Sequence, residues 1–296
     1  MSVAERARSA VAPHVPRGAR RAVGTAAERL GSVSGDLRVA PSFVIAGVQR
    51  GGTNSLYEYL ARHPLVLRAR PLPEVHYFDL HATRSGQWYR GHFPTRRHAA
   101  GLARRWGGHA LAGESSPYYI FHPAAMRRLA ATLPNVRVLV LLRDPVARAF
   151  SHYHHERARG YEHLSFIDAL AAEDDRLGDM TEAAFDDPSY RNADHQHFSY
   201  AARGRYDHQL ARAFGLFRRE QVLVVVSEDL FARPAEVHRE ALAFLGLPGA
   251  AEGGYPAYNR GRHDDLDDRV RRRLAARFEA SNERVSRILG RALPWA

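Results

Sequence analysis

Apolar runs of strand length alternate along this chain with stretches whose apolar positions recur at helical spacing. FVIAG (43–47) is apolar throughout and reads as a buried strand. A glycine-rich turn follows it, and 53–62 reads as a helix stopped by His63-Pro64. EVHYF (74–78) reads as a short extended segment, 110–114 as another strand and 123–132 as a helix. VRVLVLL (136–142) is a continuous apolar run, as a central parallel strand requires. Asp144 and Pro145 then supply the N-cap and first position of a helix to about Arg159. Beyond an acidic, aromatic-spotted loop (178–198) the pattern predicts a helix at 206–217 and a strand at 221–226. Helices at 234–245, 266–280 and 282–290 close the chain. Such alternation predicts an α/β sandwich with a parallel sheet, whose ligands sit at the carboxyl ends of the strands.

Residues 1–40 break the pattern. They are rich in Ala, Arg and Gly and poor in large apolar groups, so they read as a basic, poorly ordered segment with a short helix near 19–30. Residues 41–296 then form one domain. A solvated tail is the expectation for this arm, weak contact with a membrane surface stays open, and no nucleic-acid partner is expected. No apolar run approaches the roughly 18 residues that span a bilayer, and no secretory apolar block opens the chain, so a cytoplasmic protein is expected.

Zero cysteine excludes disulfides, thiolate metal sites and a cysteine nucleophile. The formal charge of +11 suits an anionic ligand or polyanionic partner. All 43 basic residues counted as Lys+Arg are arginine, so lysine-type chemistry falls to guanidinium groups.

Four stretches carry candidate chemistry. In GVQRGGTNS (47–55), Gly47 and Gly52 keep the spacing of a nucleotide phosphate loop, but Thr53 stands where its lysine would. Strand, glycine turn and helix start aim N–H groups of Gly51, Gly52, Thr53, Asn54 and Ser55 at one anion, with Arg50 as the cation inside the turn. In LLRDPVARAFSHY (141–153), Arg143 ends a buried strand and Ser151 lies eight residues on; the pair suits a second phosphate, or Arg143 forms a structural ion pair. SHYHHER (151–157) sets His152, His155 and Glu156 on one helical face without a zinc signature; this reads as a packing or solvated cluster, as do His195 and His197. In PLPEVHYFD (71–79), Glu74 and His76 would share one face of an extended segment, as an acid/base pair or as an exposed strand edge.

These stretches, with GESSPYYIFHP (113–123), GRYDHQL (204–210), SEDL (227–230) and YNRGRH (258–263), occur in the order of a known family. From Phe43 to Trp295 the chain resembles the PAPS-dependent sulfotransferases, especially the heparan sulfate (glycosaminoglycan) branch and its bacterial relatives. The resemblance implies a P-loop-like three-layer sandwich, PAPS as co-substrate and no metal. It implies Glu74, helped by His76, as the base, and Arg50 with the loop amides on the leaving phosphate. Arg143 and Ser151 would hold the 3′-phosphate, with Arg260, Gly261 and Arg262 closing over the nucleotide. Arg50 stands where the family usually carries a lysine. The acceptor would be a hydroxyl or amine of a glycan, glycolipid or secondary metabolite, contacted by the 178–198 loop, Trp88 and Tyr89. The alternatives are a P-loop kinase, disfavoured by the missing lysine, and a non-catalytic polyanion-binding protein.

Overall fold

A computed structural model describes residues 31–178, 180–249, 254–256, 258 and 266–296. Five parallel strands form one sheet in the order β2-β3-β1-β4-β5: β1 (Phe43–Gly47), β2 (Val66–Arg68), β3 (Leu111–Ser115), β4 (Arg137–Leu142) and β5 (Val222–Val226). Helices cover both faces, so the molecule is a P-loop-like α/β sandwich. β1 is wholly buried, and its alternation divides the core. Val44 and Ala46 face one layer with Phe78 and Tyr89, while Phe43 and Ile45 face another with Tyr57 and Leu230.

The strands expected at β1, β3, β4 and β5 all form. α1 (Thr53–Leu60) follows β1, and α4 (Ala125–Thr132) precedes β4; between β2 and β3 lie α2 (Gly86–Arg90) and α3 (Arg96–Trp106). α5 (Pro145–Ala158) starts where expected, with the Asp144 carboxylate accepting from Val146 N–H at 3.0 Å. The 178–198 loop contains α8 (Ala193–His197), preceded by α6 (Phe166–Ala171) and α7 (Glu173–Leu177). α9 (Tyr206–Leu216) leads into β5, followed by α10 (Ser227–Ala232) and α11 (Pro234–Phe244). α12 (Asp268–Ala276) and α13 (Glu279–Leu289) close the chain.

Two expectations change. EVHYF is not extended: 74–78 is irregular backbone, His76 has φ 53°, and its amides bond to side chains rather than to a strand. Within the arm expected to be poorly ordered, residues 31–40 lie against α2. Arg90 pairs with Asp36 at 2.6 Å, and the Arg38 guanidinium donates to the Phe93 carbonyl at 2.6 Å. The helix expected at 19–30 lies outside the described residues.

Gly113, in β3, abuts the Phe43 ring of β1 so closely that an added Cβ would overlap it. Gly113→Ala is therefore expected to destabilise the fold by about 1–3 kcal/mol through overpacking. Urea unfolding followed by circular dichroism will measure the loss as a lower midpoint at unchanged slope.

Candidate active site

The site is built where β1 turns into α1. Gly47 admits no side chain because a Cβ would overlap Ile120, and Gly52 takes the left-handed conformation (φ 88°) that starts the helix. Val48 N–H donates to the Leu141 carbonyl at 2.9 Å, tying the turn to β4. Thr53, Asn54 and Ser55 occupy the first turn of α1, where N–H groups have no carbonyl of their own helix. The turn thus presents amides and a positive helix end to one place.

Arg50 and the Arg143–Ser151 pair meet there. Arg50 Nε donates to Ser151 Oγ at 3.1 Å, and Arg143 Nη1 donates to the Arg50 carbonyl at 3.0 Å. Burial, then the neighbouring Arg143 charge, lower the Arg50 pKa. The charges of Arg50 and Arg143 acting on one another make this a strongly positive place, suited to anionic ligands. Arg50, Thr53, Asn54, Arg143 and Ser151 all line a cavity of about 1160 Å³, together with Glu228 and Phe231 of α10, just beyond β5. Gly52 lines it too. Gly51 and Ser55 serve the turn instead, through contacts that fix its shape. The Gly51 carbonyl accepts from Ser227, and the buried Ser55 hydroxyl accepts from Tyr258 N–H at 3.1 Å. Arg260, Gly261 and Arg262 lie outside the described residues.

Glu74 and His76 line the same cavity. His76 Nε2 lies 3.5 Å from Glu74 Oε2, and its Nδ1 lies 2.9 Å from Asp79 Oδ2. Burial pulls the His76 pKa down, but the charge and hydrogen bond of Asp79, then those of Glu74, outweigh it and raise it to about 10. Burial likewise acts to raise the Asp79 carboxyl, yet His76 and the Leu80 N–H hold it below its usual value. At neutral pH His76 is therefore an imidazolium, with no lone pair to accept a proton. Glu74, 39% exposed, and Glu228 are the carboxylates among the described residues that line the cavity. Glu228 accepts Asp144 N–H at 3.0 Å, at the base of α5.

A family model for the sulfotransferase domain matches residues 40–253. The chain belongs to the sulfotransferase family. It is 26% identical, over 89% of its length and 68% of the relative's, to the membrane-associated sulfotransferase kil1 of Dictyostelium discoideum. It is 28% identical over 70% of its length to the bovine bifunctional heparan sulfate N-deacetylase/N-sulfotransferase 2, of which it spans 22%. The crystal structure of a sulfotransferase from Alicyclobacillus acidocaldarius superposes with a TM-score of 0.65 at 27% identity, covering 87% of this chain and 99% of that one. No helix among the described residues of this sulfotransferase is long and apolar enough to cross a membrane.

Sequence reasoning missed Arg203, which the fold brings into the cavity wall of the sulfotransferase. Its guanidinium lies over the rings of Tyr118 and Phe121, 4.7 and 4.9 Å from their centroids, and donates to the Gln49 side chain in the glycine turn. Burial lowers its pKa to about 10. The one local signal was its position just before GRYDHQL. His155, one turn beyond Ser151 on α5, and Arg159, which caps the end of that helix, also line the cavity. His152 and Glu156 are buried, with His197 Nδ1 2.9 Å from Glu156 and His195 Nδ1 2.6 Å from the Tyr118 hydroxyl. No group of metal-ligating side chains occurs among the described residues. The expected acceptor contacts fall away from the cavity: Tyr89 is buried with its hydroxyl 2.6 Å from Glu114, and Trp88 packs on Tyr77 and His92. From 178–198, Gln196 alone among the described residues lines it.

The His76 charge makes a measurable prediction. Its ring nitrogens should both carry protons at pH 8, seen in nitrogen-15 spectra of labelled histidine, and Asp79→Asn should move the titration several-fold toward ordinary acidity. Because the folded pKa is raised, the pair's stabilisation is complete below about pH 6.5 and is lost as pH rises toward about 10. Thermal unfolding of wild type should therefore weaken across that window more than unfolding of Asp79→Asn.

Proposed function

We propose that the enzyme transfers a sulfuryl group from PAPS to a hydroxyl or amine of a glycan, glycolipid or secondary-metabolite acceptor. Glu74 takes the acceptor proton as its oxygen or nitrogen attacks sulfur. The bond from sulfur to the 5′-phosphate oxygen breaks in line, and PAP leaves with the electron pair. Arg50 and the amides of Gly52, Thr53 and Asn54 meet the charge that grows on that phosphate, an electrostatic stabilisation set up before the reaction begins; the Gly51 N–H, expected among these donors, is taken by the Val48 carbonyl. Arg143 and Ser151 bind the 3′-phosphate, and Arg260, Gly261 and Arg262 cover the nucleotide. His76, as a cation 3.5 Å from Glu74, orients the carboxylate and steadies its charge rather than taking the proton itself.

The observation that carries this reading is the composition of the cavity at the β1–α1 turn. The Arg50 and Arg143 guanidinium groups, the Ser151 hydroxyl and the helix-start residues Thr53 and Asn54 line it together with the partly exposed carboxylate of Glu74. A donor with two separate anionic groups suits that set of partners. A triphosphate would instead call for a loop lysine and a magnesium ion.

Nucleotide choice tests the donor. PAP is expected to bind at least about tenfold more tightly than ATP, about 1.4 kcal/mol, in calorimetry with EDTA present. Equal binding of ATP would sink the reading. Glu74→Gln tests the base, since it keeps shape and polarity but cannot take the proton. Transfer in a single turnover should fall by about 10²-fold or more, while PAP affinity changes less than about threefold. A variant that still transfers would put the base elsewhere, and one that loses PAP would make Glu74 a binding residue.

A further inference from the structure

The backbone carrying Glu74 and His76 has no strand partner among the described residues, so its amides need other acceptors. Side chains at the end of β3 supply them. Val75 N–H donates to Glu114 Oε2 at 3.3 Å, His76 N–H to Ser116 Oγ at 2.9 Å, and Tyr77 N–H to Tyr119 Oη at 2.8 Å. Those two hydroxyls then turn their own hydrogens on Glu114. Ser116 donates to it at 2.7 Å and Tyr119 at 3.2 Å, while Tyr89 of α2 adds a third hydroxyl at 2.6 Å. Glu114 is completely buried and does not line the cavity. Every route from the turn's amides thus ends on this one carboxylate.

We propose that Glu114 is a positioning residue for sulfuryl transfer: as a carboxylate it holds the 75–77 turn that sets Glu74 and His76 in the cavity, and its protonation loosens that turn. The inference rests on the reading of Glu74 as the base.

The hydrogen-bond inventory gives the reason. An ionised carboxylate only accepts, and four neighbours offer it hydrogens. Protonation would add a fifth hydrogen among donors, leaving a hydroxyl hydrogen or the Val75 amide without an acceptor in a buried site, which is unfavourable. The groups that face Glu114 are Tyr89 from α2, Tyr57 from α1, Ser116 and Tyr119 beyond β3, and His76 and Asp79 from the turn itself. Burial raises its pKa to about 7 against the Ser116 and Tyr89 hydrogen bonds and the His76 charge, with Asp79 adding to the rise. The change of state therefore falls in the neutral range, where an enzyme would feel it.

The first test needs neither donor nor acceptor. In nitrogen-15 spectra of the whole deuterated protein, the Val75, His76 and Tyr77 amides should shift together with a midpoint near pH 7. Glu114→Gln, which resembles the protonated form, should abolish that common titration. Tyr89→Phe removes one hydrogen bond to the carboxylate but no contact to the turn, so the midpoint should move to higher pH. It also decides the matter if Glu114→Gln fails to fold. In single-turnover transfer, the wild-type rate should fall below pH 7 with the same midpoint. Glu114→Gln should be slower by about tenfold or more at pH 8 and flat from pH 6 to 8, with PAP affinity within about threefold of wild type. Amides that do not titrate between pH 6 and 8, or that titrate unchanged in Glu114→Gln or Tyr89→Phe, would overturn the proposal. An enzyme that binds no PAP and transfers nothing would instead overturn the reading of function, and the amide titration would still be read on its own.

Discussion

The rest of the site depends on one tight turn, in which β1 must become α1 within five residues and leave its amides facing outward. Such a turn stabilises itself only in part: the Gly51 N–H donates back to the Val48 carbonyl at 2.9 Å, but that bond alone does not set its shape. Its shape comes from neighbours instead. β4 takes the Val48 amide, Arg143 takes the Arg50 carbonyl, Ser227 donates to the Gly51 carbonyl, and the Ile120 amide donates to the Ala46 carbonyl. Each contact comes from the carboxyl end of a strand or the segment just beyond it. The parallel sheet is what delivers those ends to one edge, so the sheet order and the proposed anion site are a single problem solved once.

Much of this was legible because the central strands β1 and β4 are buried on both faces and so read as plain apolar runs, while β5, at the sheet's edge and partly covered, is apolar throughout as well. The Asp144-Pro145 start of α5 was legible because capping is local chemistry. Edge strand β2 has three residues, too few for any pattern to register. The segment 74–78 was misjudged for a clearer reason. Its Val, Tyr and Phe have strand-like character, but its amides are claimed by side chains about forty positions away, and sequence spacing carries no trace of that. Glu74 and His76, singled out by residue type and motif, nevertheless line the cavity, because neither signal depends on the backbone being a strand. Arg203 was not, because what makes it significant is a pair of rings at Tyr118 and Phe121, more than eighty positions earlier in the chain.

The floor beneath Arg203 shows how polar interiors are made to fit. The segment before it is held by Glu173, whose carboxylate accepts the Ala201 and Ala202 amides at 2.7 Å each, and by the buried Arg148, which donates to the Tyr200 carbonyl. Buried charges of this kind are costly unless their hydrogen bonds are met. Here they substitute for regular structure, fixing a stretch of short helices and turns that has no sheet to lean on. The 74–78 turn is handled in the same way by Glu114, and both stretches border the cavity.

Every cation in the cavity wall apart from histidine is an arginine, and that has a consequence for control of the enzyme. Acetylation of lysine is a common way for cells to cancel a positive charge at an anion site. A chain with no lysine offers that chemistry no side-chain amine. Acylating metabolites and amine-directed labels would pass the anion site by, whereas dicarbonyl compounds, which react with guanidinium groups, would find it well supplied.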